Sequence, residues 1–210
     1  MSAQGTAQVQ YGDLPEELAG AFAGSRLVAW DIETSGLDWR TDRIGTCQLF
    51  AEDIGVVVVS VGDSRPARML ALLEDPGVEK IFHHAPFDLR FMVHAWEVRP
   101  SAIRCTKVAS KLLDPRAPNE VHSLQNLALR YLGVSLDKGQ VRTSDWTSRQ
   151  LSPEQLAYAA GDVLHLPALL AAMSEALRAT GQADLYDACC SFLPARVMLE
   201  VGDYPDVFAY

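Results

Sequence analysis

The sequence predicts an α/β domain built on a five-stranded mixed sheet flanked by helices. Three observations point there. Three apolar runs follow one another early in the chain, at 26–33, 44–53 and 55–62. Each has a strand's length and β-branched or aromatic content. Asp53-Ile54-Gly55 between the last two fits a hairpin turn, which makes the second strand antiparallel to its neighbours. After residue 62 the pattern switches to helices alternating with two short strands, 78–84 and the stretch "AIRC".

The remaining elements follow in order. Residues 1–14 carry no periodic apolar pattern and read as a flexible tail, leaving one domain over 15–210. "PEELAGAFAG" and "RPARMLALLEDPG" are short helices. "PFDLRFMVHAWEV" (86–98) opens on Pro and has apolar residues at helical spacing. "TKVASKLLD" and "HSLQNLALRYLG" are helical, the latter stopped by Gly133. "VSLDKGQVRTSDWTSRQ" is polar and irregular. Ser152-Pro153-Glu154-Gln155 then starts a helix that runs towards Gly181, with a kink expected near Pro167. A last helix and an irregular tail close the chain.

Composition narrows the class. With 210 residues, 49% hydrophobic and 21% charged, the chain can bury a full core. No signal peptide is evident and no run reaches the roughly 20 apolar residues of a spanning helix. A cytoplasmic protein without a membrane partner is expected. The four cysteines show no CxxC spacing and read as reduced thiols. The net charge of −9 disfavours indiscriminate nucleic-acid binding. Yet residues 101–150 hold eight Lys/Arg against four Asp/Glu, which suits either a local phosphate contact or a solvated face.

The chemistry is carried by acids. Asp31 and Glu33 stand at i and i+2 of a strand, on one face, with Cα atoms about 6.6 Å apart. A divalent cation bound by hard oxygens would relieve their repulsion; otherwise they are two solvated acids at a strand end. Asp88 opens a helix, where it could simply favour the helix dipole. Asp162 sits in the apolar stretch "LAYAAGDVLHLPAL" and needs a partner if buried. Tyr158, four residues earlier, shares its face and could serve only to hydrogen-bond it.

Asp-x-Glu, a distant Asp and then Tyr-xxx-Asp together resemble the tyrosine-bearing branch of the DEDD family of 3′–5′ exonucleases, over roughly residues 25–180. The stretches "FHHAPFDLRFM" (82–92) and 131–170 look like the second and third motifs of the ribonuclease D group. "DIETSGLD" looks more like the proofreading exonucleases of DNA polymerases. The resemblance implies a ribonuclease H-like fold and two divalent cations, Mg2+ or Mn2+, held by Asp31, Glu33, Asp88 and Asp162. It implies hydrolysis of single-stranded RNA or DNA from the 3′ end to nucleoside 5′-monophosphates. Tyr158 would orient the attacking water.

By the same resemblance Thr34 and Leu37 meet the terminal nucleotide. His84 could contact substrate or support the acids, or be a satisfied structural histidine. Lys138, Arg142 and Trp146 could contact phosphate or stack a base, or simply fix their loop; His165 reads as structural. The C-terminal helical domains of ribonuclease D have no counterpart here, so weak grip on long structured RNA is expected. The rivals are a binding module that has lost catalysis and a hydrolase of very short oligonucleotides.

Overall fold

The computed structural model describes residues 7–136, 141 and 144–210. Its elements are β1 (Gln8–Tyr11), α1 (Glu16–Ala23), β2 (Leu27–Thr34), β3 (Ile44–Ala51), β4 (Gly55–Ser60), α2 (Ala67–Glu74), β5 (Glu79–Phe82), α3 (Ala85–Trp96), β6 (Ile103–Cys105), α4 (Thr106–Leu113), a 3-10 turn (Asn119–His122), α5 (Leu124–Leu132), α6 (Pro153–Leu164), α7 (Leu166–Ala179) and α8 (Ala183–Val201).

The strands form one sheet in the order β1-β4-β3-β2-β5-β6. β3 runs antiparallel to β2 and to β4, as the hairpin signal predicts; the other pairings are parallel. The sheet has six strands, not five. The extra one comes from the segment read as a tail: Gln8 to Tyr11 pair with Val57 to Ser60 at the sheet edge. Its side chains are exposed or half-buried, so no apolar periodicity marks it. Main-chain pairing along the free edge of β4 holds it instead.

β3 is buried at every position and β4 at all but Gly55. Both therefore read as continuous apolar runs rather than alternating ones, as strands covered on both faces do. α6 lies across β2, β3 and β4, and α7 across β2 and β5. α3 packs on α8, and α4 on α7.

The expected kinked helix is two helices. α6 ends at Leu164 and α7 starts at Leu166, with His165 between them. Pro167 has no N–H to donate and its ring would meet the carbonyl four residues back, so the chain breaks and Pro167 falls in the first turn of α7. The stretch Pro153–Ala179 is apolar enough, by length and composition, to cross a membrane. Here it is divided at His165, and Val163, Leu166, Leu169, Met173 and Leu177 point into the core.

A bulge lies where β2 ends. Glu33 pairs with Thr46 and Thr34 with Ile44, so Gly45 is an extra residue on β3. A Cβ at Gly45 would overlap the carbonyl of Trp146. The missing side chain is what lets the 144–147 segment rest its backbone on the sheet. Gly45→Ala is expected to lower stability by about 1–3 kcal/mol, as overpacking does, with a matching drop in melting temperature. Denaturant unfolding measures it; an unchanged midpoint would show that the segment is free to shift.

Candidate active site

Each acid reaches the site by a different local device. Asp31 and Glu33 sit on one face of β2, fixed by pairing with Gln48 and Thr46. Asp162 and Tyr158 lie one turn apart on α6 and are buried, 7% and 9% exposed. α6 is started by a capping box: Ser152 Oγ accepts from the Gln155 N–H at 3.2 Å, and Gln155 Oε1 accepts from the Ser152 N–H at 2.9 Å. The Gln155 amide also donates to Ser144 Oγ at 3.0 Å and to the Asp145 carbonyl at 3.1 Å. One residue thus ties the start of α6 to the segment resting on Gly45.

Carboxylate oxygens of Asp31, Glu33 and Asp162 come within 4.8 Å of one another. Asp88, 2% exposed, stands beside them. β2 pairs with β5 only over 27–29, so beyond Ala29 that edge of β2 has no strand partner. Asp88, in the first turn of α3, fills the gap: its Oδ1 accepts from the N–H of Ile32 at 3.3 Å. The bond lands between Asp31 and Glu33. Burial raises the Asp88 pKa well above the usual carboxylate range, and the charges of Asp31 and Glu33 add to the rise.

The candidate substrate contacts divide. Leu37 is 83% exposed at the tip of the loop after β2. Asp42 braces that loop by accepting from Ser35 Oγ at 3.0 Å and from the Asp38 N–H at 2.9 Å. Thr34 is half-buried and its hydroxyl donates to the Gly36 carbonyl. His84 is exposed, in left-handed backbone at φ 69°, just before α3. Partial desolvation, with Lys107, Arg90, Lys111 and Arg196 nearby, pushes its imidazole down to about 4. His165 caps the α6–α7 break, and its pKa is lowered by desolvation.

Trp146 corrects the expectation of base stacking. It is 1% exposed and its ring lies against Tyr158, centroids 5.7 Å apart and planes tilted 47°. An indole so enclosed packs the tyrosine rather than a nucleobase. Lys138 and Arg142 lie outside the described residues. Of the other basic residues in 101–150, Arg104 is engaged by Glu79 and Asp187, and Arg130 faces Asp114. Gln155 and Gly45 were not singled out as site residues. The S-x-x-Q spacing marks the helix start but not its tie to the 144–147 segment, and nothing local marks the bulge.

Comparison with known proteins gives a consistent picture. The profile of a 3′–5′ exonuclease domain matches residues 7–178. Ribonuclease D of Gluconacetobacter diazotrophicus is 35% identical over 138 residues, covering 65% of this chain and 34% of that protein. DNA polymerase I of Aquifex aeolicus is 36% identical over 149 residues, 70% of this chain and 23% of the polymerase. The matches thus span about a third or less of these curated relatives. The solved structure of Brucella melitensis NrnC is similar at TM-score 0.88 and 34% identity, over 98% of both chains. NrnC has also been solved bound to pGG and with bound Mg2+. Escherichia coli ribonuclease D shares the fold at TM-score 0.77 and 22% identity, over 91% of this chain and 50% of that one.

Asp88 gives a pH signature. From about pH 4 upward the unfolded carboxyl ionises while the native one keeps its proton. Native protein then binds more protons, so stability falls with rising pH until Asp88 itself ionises. Asp88→Asn keeps the acceptor for Ile32 and removes the charge. Its cation-free form is expected to melt higher than wild type at pH 7, with a smaller drop between pH 4 and 7. Thermal melting in EDTA checks this; a lower melting temperature at both ends would contradict it.

Proposed function

The chain belongs to the 3′–5′ exonuclease family, and from that premise we propose that it hydrolyses single-stranded RNA, and DNA, from the 3′ end to nucleoside 5′-monophosphates. The observation that carries this is the convergence of Asp31, Glu33 and Asp162 within 4.8 Å, with Asp88 bonded to the backbone between the first two. This donor set is all carboxylate oxygen, the chemistry that suits Mg2+ or Mn2+. Burial, and after it the charges of Asp31 and Glu33, raise the Asp88 pKa, and a cation would offset both. The residues present fit the group.

Asp31 would be shared by two cations, with Glu33 and Asp162 completing one site and Asp88 supporting the other. When bound, such a pair supplies neutralisation of the scissile phosphate and a nucleophile available near neutral pH. The side chains do the positioning. Tyr158 would orient the attacking water, with Glu33 accepting a hydrogen bond from it. With a reference pKa of about 10, the phenol orients rather than abstracts. The packed Trp146 ring holds Tyr158 in place. Leu37 and Thr34 would touch the terminal nucleotide, and His84 would contact substrate or support the acids. The exonuclease unit is a single domain that includes β1 at its sheet edge.

One observation favours a narrower second reading, a hydrolase of very short oligonucleotides. NrnC, similar over 98% of both chains, has been solved with pGG. A panel of 5′-labelled single-stranded and duplex RNA and DNA, from dinucleotides to 30-mers, decides between the two. Comparable rates across lengths support the broad reading. A collapse beyond a few nucleotides supports the narrow one. No 3′ shortening of any substrate would overturn both.

Asp31→Ala is expected to abolish cleavage, as is chelation of divalent cations. Tyr158→Phe is expected to lower single-turnover rates on the order of 10²-fold, with substrate binding little changed. Wild-type cleavage by Tyr158→Phe, on protein checked by melting, would remove the tyrosine from the chemistry.

A further inference from the structure

β3 carries two polar side chains on the face that β2 uses for its acids. In the antiparallel register Gln48 lies opposite Asp31, and Thr46 opposite Glu33. Residues opposed in such a pair share a face, with Cβ atoms about 4.5–5.5 Å apart. Both Gln48 and Thr46 are fully buried, at 0% exposure. α6, which brings Asp162, covers the same strands. Gln48 and Thr46 therefore form the wall beside the acid pair.

The polar accounting at this wall is incomplete. Gln48 Nε2 donates to Thr46 Oγ1 at 2.8 Å. Gln48 Oε1 is buried and has no partner among the described residues. A buried acceptor left unmade costs about 1–3 kcal/mol. A half-turn of the amide removes that cost, because its oxygen and nitrogen ends are nearly equal in shape. Thr46 then donates its hydroxyl proton to Oε1, and Nε2 offers two donors to the acids. A hydrogen bond to an ionised acceptor is among the stronger kinds.

We infer that Gln48 is a positioning residue of this site: its carboxamide, oriented by the Thr46 hydroxyl, donates to the Asp31–Glu33 pair and directs their remaining lone pairs at the cation. The inference rests on the reading of these acids as cation ligands. It assigns the buried amide to ligand geometry rather than to core packing.

The two roles separate experimentally. Gln48→Met keeps the length and removes the hydrogen bonds, so a packing role predicts a folded protein with unchanged cation binding. A positioning role predicts binding of Mn2+ about 10–100-fold weaker, the usual effect of losing a hydrogen-bond partner of a metal ligand. In EDTA, Gln48→Met is expected to melt below the wild-type temperature, because the acids lose their donor and the buried Thr46 hydroxyl loses its acceptor. Thr46→Val shifts Mn2+ binding the same way, and Thr46→Ser restores it. The measurement is calorimetric titration of Mn2+ into wild type, Gln48→Met, Thr46→Val, Thr46→Ser and Asp31→Ala, with melting in EDTA. Wild-type affinity in Gln48→Met and Thr46→Val, beside loss in Asp31→Ala, would overturn the inference. Should Gln48→Met fail to fold, Thr46→Val against Thr46→Ser decides alone. Equal affinity in wild type and Asp31→Ala would instead overturn the ligand reading beneath it.

Discussion

Where β2 loses β5 as a partner, the N–H of Ile32 still needs an acceptor, because an unpaired buried amide is costly. The chain answers with a carboxylate from the first turn of the next helix, Asp88. The choice has two effects. It closes the strand edge, which β5 leaves open beyond Ala29. It also buries a third acid against Asp31 and Glu33; burial, and then their charges, raise its pKa. One hydrogen bond thus both completes the sheet and loads it with like charge. A hydrogen bond to a charged group contributes about 1.5–3 kcal/mol, but only once the carboxyl ionises. A cation among the acids favours that ionisation. Cation binding at these acids would couple to completion of the sheet through this one contact.

The fourth acid arrives from the opposite direction and has a separate support. α6 lies on β2, β3 and β4, and its start is anchored through Gln155 to the 144–147 segment. That segment in turn rests on Gly45, the extra residue of the bulge at the end of β2. Trp146, carried by the segment, packs Tyr158 on α6. The bulge, the capping box and the indole therefore act on the same quantity, the approach of Asp162 and Tyr158 to Asp31 and Glu33. Rigid placement of this kind is what positioned catalytic groups require.

Much of this was legible in the sequence. The strands β2 to β6 showed as apolar runs, and the antiparallel sense of β3 followed from Asp53-Ile54-Gly55. Asp31 and Glu33 declared themselves by the i, i+2 rule, and Tyr158 and Asp162 by the helical i, i+4 rule. What stayed hidden was held by main chain or by tertiary contact. β1 has no buried face, so only the edge of β4 makes it a strand. Trp146 looked available for stacking because its neighbours in sequence are polar, whereas its real neighbour is Tyr158, twelve positions later. Gln48 passes in sequence for one polar residue within an apolar strand. Its register opposite Asp31 gives it meaning. The break at His165 was foreseen as a kink, since Pro167 fixes the place of the interruption but not its extent.

Asp31, Glu33, Asp88 and Asp162 are proposed to hold a pair of divalent cations together. Anomalous diffraction from crystals soaked in Mn2+ tests it most directly, since the signal locates the metal without reference to activity. The account predicts density bounded by the carboxylates of Asp31, Glu33 and Asp162, with Asp88 facing it from α3. Density confined to other surface acids, or none at saturating Mn2+, would contradict it.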